Sequence, residues 1–345
     1  MHHQLTTGNQ IIFFLEKELC LFGSHQSLFI DGTFAVVKNL KGKFIQCYII
    51  SVLYEFDNST FSYPICFSYM KNRSANSYFE LFEFIKKSYF EKFQILLQPK
   101  YIRLDCEFAT IKSICLSFPN TKIRLCSVHI SRNWRKKMVE TFGKQFNKND
   151  ILLYSWRLIR GTFFLPYESV KILTLYLKND IIPELEPVVA EKFLYLLENY
   201  FGKLYFETNS KFKFEYWNYY NDISELGLFN MTTNAAETIN REFKKMVGTG
   251  FISYVRAFTL LKEFKELYLA KYHWKIKNSN LNPRTRKTIF REEKLRNLVW
   301  SFSSLKELEL QNDTLIAQFA YDFTTIDGFS ETVITFNSDY EGEIV

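Results

Sequence analysis

The feature that most constrains the fold is the order of strand-like and helix-like segments between residues 27 and 129. Three apolar segments come first, and an amphipathic segment then precedes a short strand, a short helix and a further strand. In chain order these are SLFIDGTFAVV (27–37), FIQCYIISVLYEF (44–56), TFSYPICFSYM (60–70), SANSYFELFEFIKKSYFEKF (74–93), YIRLD (101–105), residues 108–117 and KIRLCSVH (122–129). Three antiparallel strands followed by strand, helix and strand predict an α/β fold built on a mixed sheet.

This order is that of a ribonuclease H-like sheet, which is the fold class we expect. Beyond residue 130 the alternation almost disappears, and segments such as ILLYSWRLIR and EKFLYLLENYFGKLYF predict helices. We expect a large α-helical insertion over residues 130–230 and a helical C-terminal region. The predicted divisions are an N-terminal extension (1–26), the first part of the core (27–129), the insertion (130–230), two helices that complete the core (231–275) and a C-terminal extension with an acidic tail (276–345).

The charge of the chain favours a polyanionic partner. Its 345 residues include 44 Lys and Arg against 37 Asp and Glu, a net charge of +7. Six of the acids and none of the bases lie between Tyr321 and Val345, so residues 1–320 carry 44 bases against 31 acids, or +13. Such a surplus suits nucleic acid, although charge alone does not identify a partner.

Cysteine usage and hydropathy bear on location. All six cysteines lie within the first 126 residues, several inside apolar runs, which is the pattern of a reduced, intracellular protein. No apolar run approaches the roughly 18 residues that a bilayer-spanning helix needs, so we expect no membrane partner.

Asp31 stands within an apolar run, and two explanations compete for it. Asp-Gly between hydrophobic segments is the strongest short-range signal for a hairpin turn, so Asp31 and Gly32 could turn the chain. A better turn is KNLKGK (38–43), which would pair two strands of similar length. We therefore predict one strand over residues 27–37 with Asp31 in its middle, at a cost in free energy unless the carboxylate is paired or binds a cation.

Two further acids have both structural and catalytic explanations. Asp105 ends a predicted strand just before a helix and could be the N-cap of that helix. Glu237 follows Asn234, a plausible N-cap, by three residues and could close a capping box. The alternative is that Asp31, Asp105 and Glu237 meet, from adjacent strands and a following helix, in one metal-binding site.

Phosphodiester chemistry would explain such a trio. Two Mg2+ ions about 4 Å apart can activate an attacking oxygen and stabilise a leaving one, and hard cations such as Mg2+ or Mn2+ prefer carboxylate oxygens. Arg241 and Lys244 lie one and two turns beyond Glu237 on the same helix face and could hold a phosphate backbone. A solvated charged face is the alternative explanation for this pair.

Several segments together resemble the catalytic domain of Mutator-like element (MULE) transposases. They are FIDGTF, YIRLDCEFATIKSICLSFPNTKIRLCSVHISRNWRKK, GTFFLPYESV and FEYWNYYNDISELGLFNMTTNAAETINREFKK, and the resemblance extends over roughly residues 27–268. It implies that Asp31, Asp105 and Glu237 are the metal-binding catalytic set of a ribonuclease H-like domain that cleaves and joins DNA strands.

Cys126 and His129 correspond to the Cys-x-x-His element of that family. The pair supplies two of the four ligands of a structural zinc, and no cysteine follows Cys126, so we expect a buried thiol and a hydrogen-bonded or phosphate-facing histidine rather than zinc. The basic residues after this element are candidate DNA contacts, with a solvated helix face as the alternative. They are Arg132, Arg135, Lys136 and Lys137.

The sequence therefore predicts a Mutator-like DNA transposase that acts on double-stranded DNA in the nucleus, and a homo-oligomer assembled on DNA is compatible with this prediction. Two alternatives remain open. One is a domesticated DNA-binding or regulatory protein that keeps the fold without transposing. The other is a nuclease of the same fold that cuts DNA without strand transfer.

Overall fold

The computed structural model describes residues 2–6, 8–24, 27–34, 36–37, 44–56, 59–226, 233–248, 253–277, 282–283 and 285–326. The predicted turn at residues 38–43 and most of the acidic tail, residues 327–345, lie outside the described residues. The chain forms two compact units. The first comprises Met1–Glu140, Lys203–Trp217 and Asn230–Thr285, and the second comprises Thr141–Gly202, Asn218–Phe229 and Arg286–Val345.

The first half of the described chain contains the strands β1 (His2–Thr6) and β2 (Gln10–Leu15), the helix α1 (Leu19–Ser24), the strands β3 (Ser27–Thr33), β4 (Gln46–Phe56) and β5 (Ser59–Met70), then α2 (Ala75–Phe93), β6 (Tyr101–Leu104), α3 (Phe108–Ser117), β7 (Lys122–Leu125) and α4 (Ser127–Phe142). The remainder contains α5 (Asp150–Gly161), α6 (Tyr167–Tyr176), α7 (Pro187–Leu196), α8 (Phe214–Trp217), α9 (Tyr220–Leu226), α10 (Asn234–Val247), α11 (Tyr254–Lys277), β8 (Asn282–Pro283), α12 (Arg286–Ser303) and α13 (Asp313–Ile326).

A mixed sheet forms the centre of the first unit. Its described strands lie in the order β1-β2-β5-β4-β3-β6-β7, and the two-residue β8 pairs with one end of β5. In this spatial order, each strand from β1 through β2, β5 and β4 to β3 is antiparallel to the next one. The last three strands, β3, β6 and β7, are parallel to one another. The expected mixed α/β architecture is confirmed.

The Asp-Gly pair does not turn the chain. Asp31 pairs with Ile49, and Gly32 pairs with Tyr48, in the antiparallel ladder between β3 and β4. The hairpin interpretation is therefore wrong, although β3 ends at Thr33 and is shorter than the predicted strand. A Cβ on Gly32 would lie 3.0 Å from the side-chain oxygen of buried Gln46, so a larger residue at this position would require Gln46 to shift.

Two boundaries differ from the prediction. The strand predicted over residues 122–129 ends at Leu125, and α4 begins at Ser127 because Ile130, Trp134 and Met138 recur at helical spacing and are buried. Residues 1–26, which the sequence assigned to an extension, supply β1 and β2. The run in β2 shows little alternation because Ile12, Phe13 and Phe14 are all buried.

A buried ion pair joins α11 to the sheet. Lys265 is 1% exposed, contacts the carboxylate of buried Glu18 and donates to the backbone carbonyl of Pro64 at 2.6 Å. Pro64 lies beside an irregularity in the pairing of β4 with β5, and Lys265 donates a hydrogen bond to the strand there. The tyrosine hydroxyl of Tyr63 donates to the same Glu18 carboxylate.

The second unit consists of helices. α13 packs against α5 and α6, and α12 packs against α9 and α13. Part of the apolar side chains of α12 and α13 is buried, including Leu295, Val299, Ile316 and Phe323. A Cβ on Gly161, at the end of α5, would overlap the backbone carbonyl of Ala320 in α13, so the two helices touch at a glycine. Among the described helices, none combines the length and the apolar character needed to cross a bilayer.

Candidate active site

Two parallel strands bring Asp31 and Asp105 together. β3 and β6 pair Phe29 with Arg103, and the same register extended by two residues sets Asp31 opposite Asp105. Side chains alternate along parallel strands, so two residues in matching positions leave the sheet on the same face. Both carboxyl groups line one pocket at this end of the sheet.

The next strand adds Cys126 and His129. Leu104 pairs with Leu125 of β7, and the backbone N–H of Cys126 donates to the carbonyl of Leu104 at 2.8 Å, which sets Cys126 beside Asp105. His129 lies in the first turn of α4, and its Nδ1 is 2.9 Å from Oδ1 of Asp105. Cys126 is buried, at 2% exposure, and His129 lies within ion-pair distance of the Asp105 carboxylate.

Helix α10 brings Glu237 and Asn240 to the same place. Its apolar stripe (Ala236, Ile239, Phe243 and Val247) is buried, and the helix packs against β3, β4 and β5. Oε1 of Glu237 is 3.8 Å from Nδ1 of His129, and Nδ2 of Asn240 donates to Oδ2 of Asp31 at 2.6 Å.

The capping interpretations of these acids are wrong. The N-cap of α3 is Glu107 rather than Asp105, and the N-cap of α10 is Thr233 rather than Asn234. Thr233 instead donates from Oγ1 to Oδ1 of Asp105 at 3.3 Å. Asp105 and Glu237 therefore need another explanation for their positions.

The surroundings of Asp31 disfavour the charged form of its carboxyl group. Burial, followed by the negative charges of Asp105 and Glu237, raises the pKa of Asp31 well above its ordinary value, while His129 and the hydrogen bond from Asn240 lower it in part. Burial lowers the pKa of His129, but hydrogen bonds and charge interactions with Asp105 and Cys126 raise it overall to about 11. One imidazolium thus lies among three carboxyl groups.

Two oxygen atoms in this cluster lack hydrogen-bond partners. Oε1 of Glu237 and Oδ1 of Asn240 are buried, and neither accepts a hydrogen bond from any residue that the structure describes. A buried acceptor without a donor costs free energy, and carboxylate and amide oxygens are the ligands that hard divalent cations prefer. The donor set fits such a cation.

Sequence reasoning missed Glu107, which lines the same pocket as Asp31 and Asp105. Its carboxylate accepts hydrogen bonds from Nε of Arg73 at 2.8 Å, from the hydroxyl of Tyr78 at 2.8 Å and from Oγ1 of Thr110 at 2.9 Å. These contacts occupy both of its oxygens, so Glu107 has a structural explanation that Glu237 lacks.

The candidate DNA contacts lie on two helices. On α4, Arg132 and Lys136 are exposed and Arg135 and Lys137 are half-buried. Lys136 and Lys137 both approach Glu140, at 4.0 and 3.6 Å. Arg241 and Lys244 are exposed on α10, beyond Glu237. Exposure makes all of them accessible to a polyanion, and their contact with DNA stays a prediction.

Comparison with known proteins identifies one part of the chain. The family model of the MULE transposase domain matches residues 27–133, a range that contains Asp31, Asp105, Cys126 and His129. The resemblance is confirmed over this range, whereas GTFFLPYESV and the segment around Glu237 lie beyond it. No curated protein matches the chain.

Proposed function

We propose that this chain, which carries a MULE transposase domain, is a Mutator-like DNA transposase. Asp31, Asp105 and Glu237 would be its metal-binding catalytic residues, held in a ribonuclease H-like core that cleaves and joins strands of double-stranded DNA. The observation that carries this proposal is the meeting of three carboxyl groups from two parallel strands and one helix around His129.

The oxygen donors support the metal dependence of the proposed reaction. The carboxyl groups of Asp31, Asp105 and Glu237 would hold Mg2+ or Mn2+, with the amide oxygen of Asn240 nearby. When bound, two such ions activate the attacking oxygen and stabilise the leaving oxygen of a phosphodiester.

The chain's own residues position the carboxyl groups. Asn240 fixes the carboxyl group of Asp31 by its hydrogen bond, and Thr233 and His129 hold that of Asp105. The positive charge of His129 reduces the repulsion among the acids in the absence of a cation. Arg132, Arg135, Lys136 and Lys137 on α4, with Arg241 and Lys244 on α10, would bind backbone phosphates.

The alternatives predict different behaviour at the same site. A DNA-binding protein without turnover would keep the basic helices and would not need the unpaired oxygen of Glu237, whose burial costs stability. A nuclease of this fold would cleave DNA but would not join strands. Action in the nucleus and assembly as a homo-oligomer on DNA belong to the same proposal as the transposase activity.

The substitution Asp105→Asn tests the proposal, because an amide is a poorer ligand for a hard cation than a carboxylate. We expect Mg2+ or Mn2+ to raise the melting temperature of the wild type and not that of Asp105→Asn, since a ligand that binds only the folded state stabilises it. Metal-dependent cleavage and joining of duplex DNA should fall at least about 100-fold in the variant, which corresponds to about 2.7 kcal/mol.

The matched control is Glu107→Gln, which neutralises the acid of the pocket that lies outside the proposed catalytic set. We expect this variant to melt at a lower temperature, because three hydrogen bonds to a charged group are weakened, and to keep the metal-dependent rise. If metal leaves the melting temperature of the wild type unchanged, and the wild type binds DNA without cleaving it, the non-catalytic alternative is favoured. Cleavage without joining would favour the nuclease.

A further inference from the structure

Asp105, Cys126 and His129 form a donor group of mixed chemistry. Each offers one ligand atom, a carboxylate oxygen, a thiol sulfur or an imidazole nitrogen, and these atoms all lie within 4.8 Å of one another. Cys126 is 2% exposed, whereas Asp105 and His129 are partly exposed, so the group is accessible from one side. Cys126 and His129 alone supply two zinc ligands, and the fold adds Asp105 as a third.

The spacing of the atoms suits a tetrahedral ion. Bond lengths of about 2.0–2.1 Å from zinc to nitrogen and oxygen ligands set such donors roughly 3.3 Å apart. Nδ1 of His129 is 2.9 Å from Oδ1 of Asp105 and 3.8 Å from Oε1 of Glu237. The Glu237 oxygen is buried and accepts no hydrogen bond within the described part of the chain, and it lies outside the donor group of three.

One residue outside the donor group holds two of its members. The backbone N–H of Thr233 donates to Sγ of Cys126 at 3.4 Å, and the hydroxyl of the same residue donates to Oδ1 of Asp105 at 3.3 Å. Hydrogen bonds of this kind orient metal ligands before the ion arrives. Thr233 is fully buried at the N-cap of α10, so the helix that carries Glu237 also fixes the sulfur and the carboxylate.

Two overlapping sets of ligand atoms lie at this end of the sheet, and they prefer different cations. Oxygen donors alone suit Mg2+, whereas a set that includes a thiolate and an imidazole suits Zn2+ or Co2+. Asp105 belongs to both sets. Occupation of the mixed set would therefore remove a ligand from the hard-cation site.

We propose that Asp105, Cys126 and His129 bind a thiophilic divalent cation, Zn2+ or its substitute Co2+, and that this binding inhibits Mg2+-dependent cleavage. The binding stands on the donor geometry alone, whereas the inhibition rests on the proposed function. Two separate measurements test the two parts.

Binding is tested by titration of the metal-free protein with Co2+, which gives a charge-transfer absorption band when it is bound by a thiolate. We expect this band in the wild type and in the control Cys115→Ser, because Cys115 is exposed, contacts the hydroxyl of Tyr216 at 3.6 Å and lies outside the donor group. Cys126→Ser should lose the band. His129→Gln should keep a thiolate and bind Co2+ at least about tenfold more weakly.

A thermal melt of each variant without metal shows whether it is folded. If Cys126→Ser does not fold, the Co2+ affinity of folded His129→Gln tests the site instead. A band of equal intensity in Cys126→Ser overturns the assignment of the sulfur. An unchanged Co2+ affinity in His129→Gln, or a wild type without the band at millimolar Co2+, overturns the site.

Inhibition is tested by adding Zn2+ to Mg2+-dependent cleavage reactions, with each variant measured relative to its own rate without Zn2+. We expect the inhibitory Zn2+ concentration to rise at least about tenfold in Cys126→Ser relative to wild type and Cys115→Ser. Equal inhibition of all three proteins overturns the inhibitory role. If wild type cleaves no DNA with Mg2+, the proposed function fails, while the Co2+ absorption still decides whether the site exists.

Discussion

At the scale of single residues, the acids inside the first unit are held by specific partners from distant parts of the chain. Asp31 accepts a hydrogen bond from Asn240, and Glu18 accepts one from Lys265. Glu242 accepts hydrogen bonds from Lys271 at 2.7 Å and from Tyr268 at 2.9 Å. The three pairs differ in burial, and their expected contributions to stability differ accordingly.

The Glu18–Lys265 pair is fully buried, so removal of its cation should be costly. We expect Lys265→Met to lower the free energy of unfolding by about 3–5 kcal/mol, because it leaves an uncompensated carboxylate in the interior. Urea denaturation measures this change. Neutralising both members in Glu18→Gln/Lys265→Met should recover at least half of the loss, and a double variant as unstable as the single one would contradict the charge explanation.

The Glu242–Lys271 pair is about one-third exposed and should respond to pH. Burial raises the pKa of Glu242, but the hydrogen bonds from Lys271 and Tyr268 and the charge of Lys271 lower it overall below 4.5. Because the pKa in the folded state is the lower one, the pair stabilises the fold above about pH 4.5, and this contribution is lost as pH falls through the folded-state pKa.

Glu242→Gln should therefore be less stable than wild type at pH 7 by roughly 0.5 kcal/mol, a value that allows for solvent screening of a partly exposed pair. Chemical denaturation across pH 3–7 measures the difference, which should shrink towards pH 3. A difference that stays constant across this range would assign the effect to packing instead.

Single residues also show where sequence reasoning reaches its limit. Asp31 could be singled out because an acid within an apolar run is unusual. Asn240 and Thr233 could not, because their roles depend on contacts with residues 209 and 128 positions away and neither carries a local signal. Glu107 was overlooked for a similar reason, since two of its three donors, Arg73 and Tyr78, lie 34 and 29 positions away along the chain.

At the scale of secondary structure, periodicity predicted most helices and strands of the described chain, and it failed where both faces are buried. α3 begins and ends at the predicted residues, and α2 is capped by Ser74, which accepts a hydrogen bond from the backbone N–H of Ser77. β2 was missed because a strand covered on both faces does not alternate. The β7–α4 boundary was missed because apolar and polar residues continue to alternate in KIRLCSVH beyond the end of β7.

The contact between α5 and α13 depends on Gly161. We expect Gly161→Ala to lower the free energy of unfolding by about 1–3 kcal/mol or more, because the added methyl group would overlap the backbone of Ala320 and force the helices apart. Thermal or urea denaturation measures the change. Gly8→Ala is the control, since no atom lies within 4 Å of a Cβ at that position, and equal destabilisation by both substitutions would contradict the packing explanation.

At the scale of the whole molecule, charge is divided unevenly along the chain. Residues 1–320 carry +13, whereas the residues from Tyr321 onward contain six acids and no base. Like-charge repulsion between the acidic tail and DNA would weaken a complex that the basic residues favour. The tail should therefore reduce non-specific binding.

Truncation after Ile326 keeps α13 and removes the acidic residues that follow it. We expect the truncated protein to bind duplex DNA several-fold more tightly at low salt, and the affinity of both proteins to fall steeply between about 50 and 200 mM salt as counterions are released. Fluorescence anisotropy with a labelled duplex measures both effects. Salt-independent affinity, or none at low salt, would argue against a DNA partner.

The packing of α13 on α5 has a consequence for the order of events during synthesis. α5 is complete at residue 161, but the helix that covers it begins only at residue 313, so the ribosome must add about 150 residues in between. At a synthesis rate of about 5–20 residues per second, the face of α5 that α13 later covers stays exposed for on the order of 10–30 s. Nascent chains that stop before residue 313 should accordingly be held by chaperones that bind exposed apolar surface, and release should follow the emergence of α13.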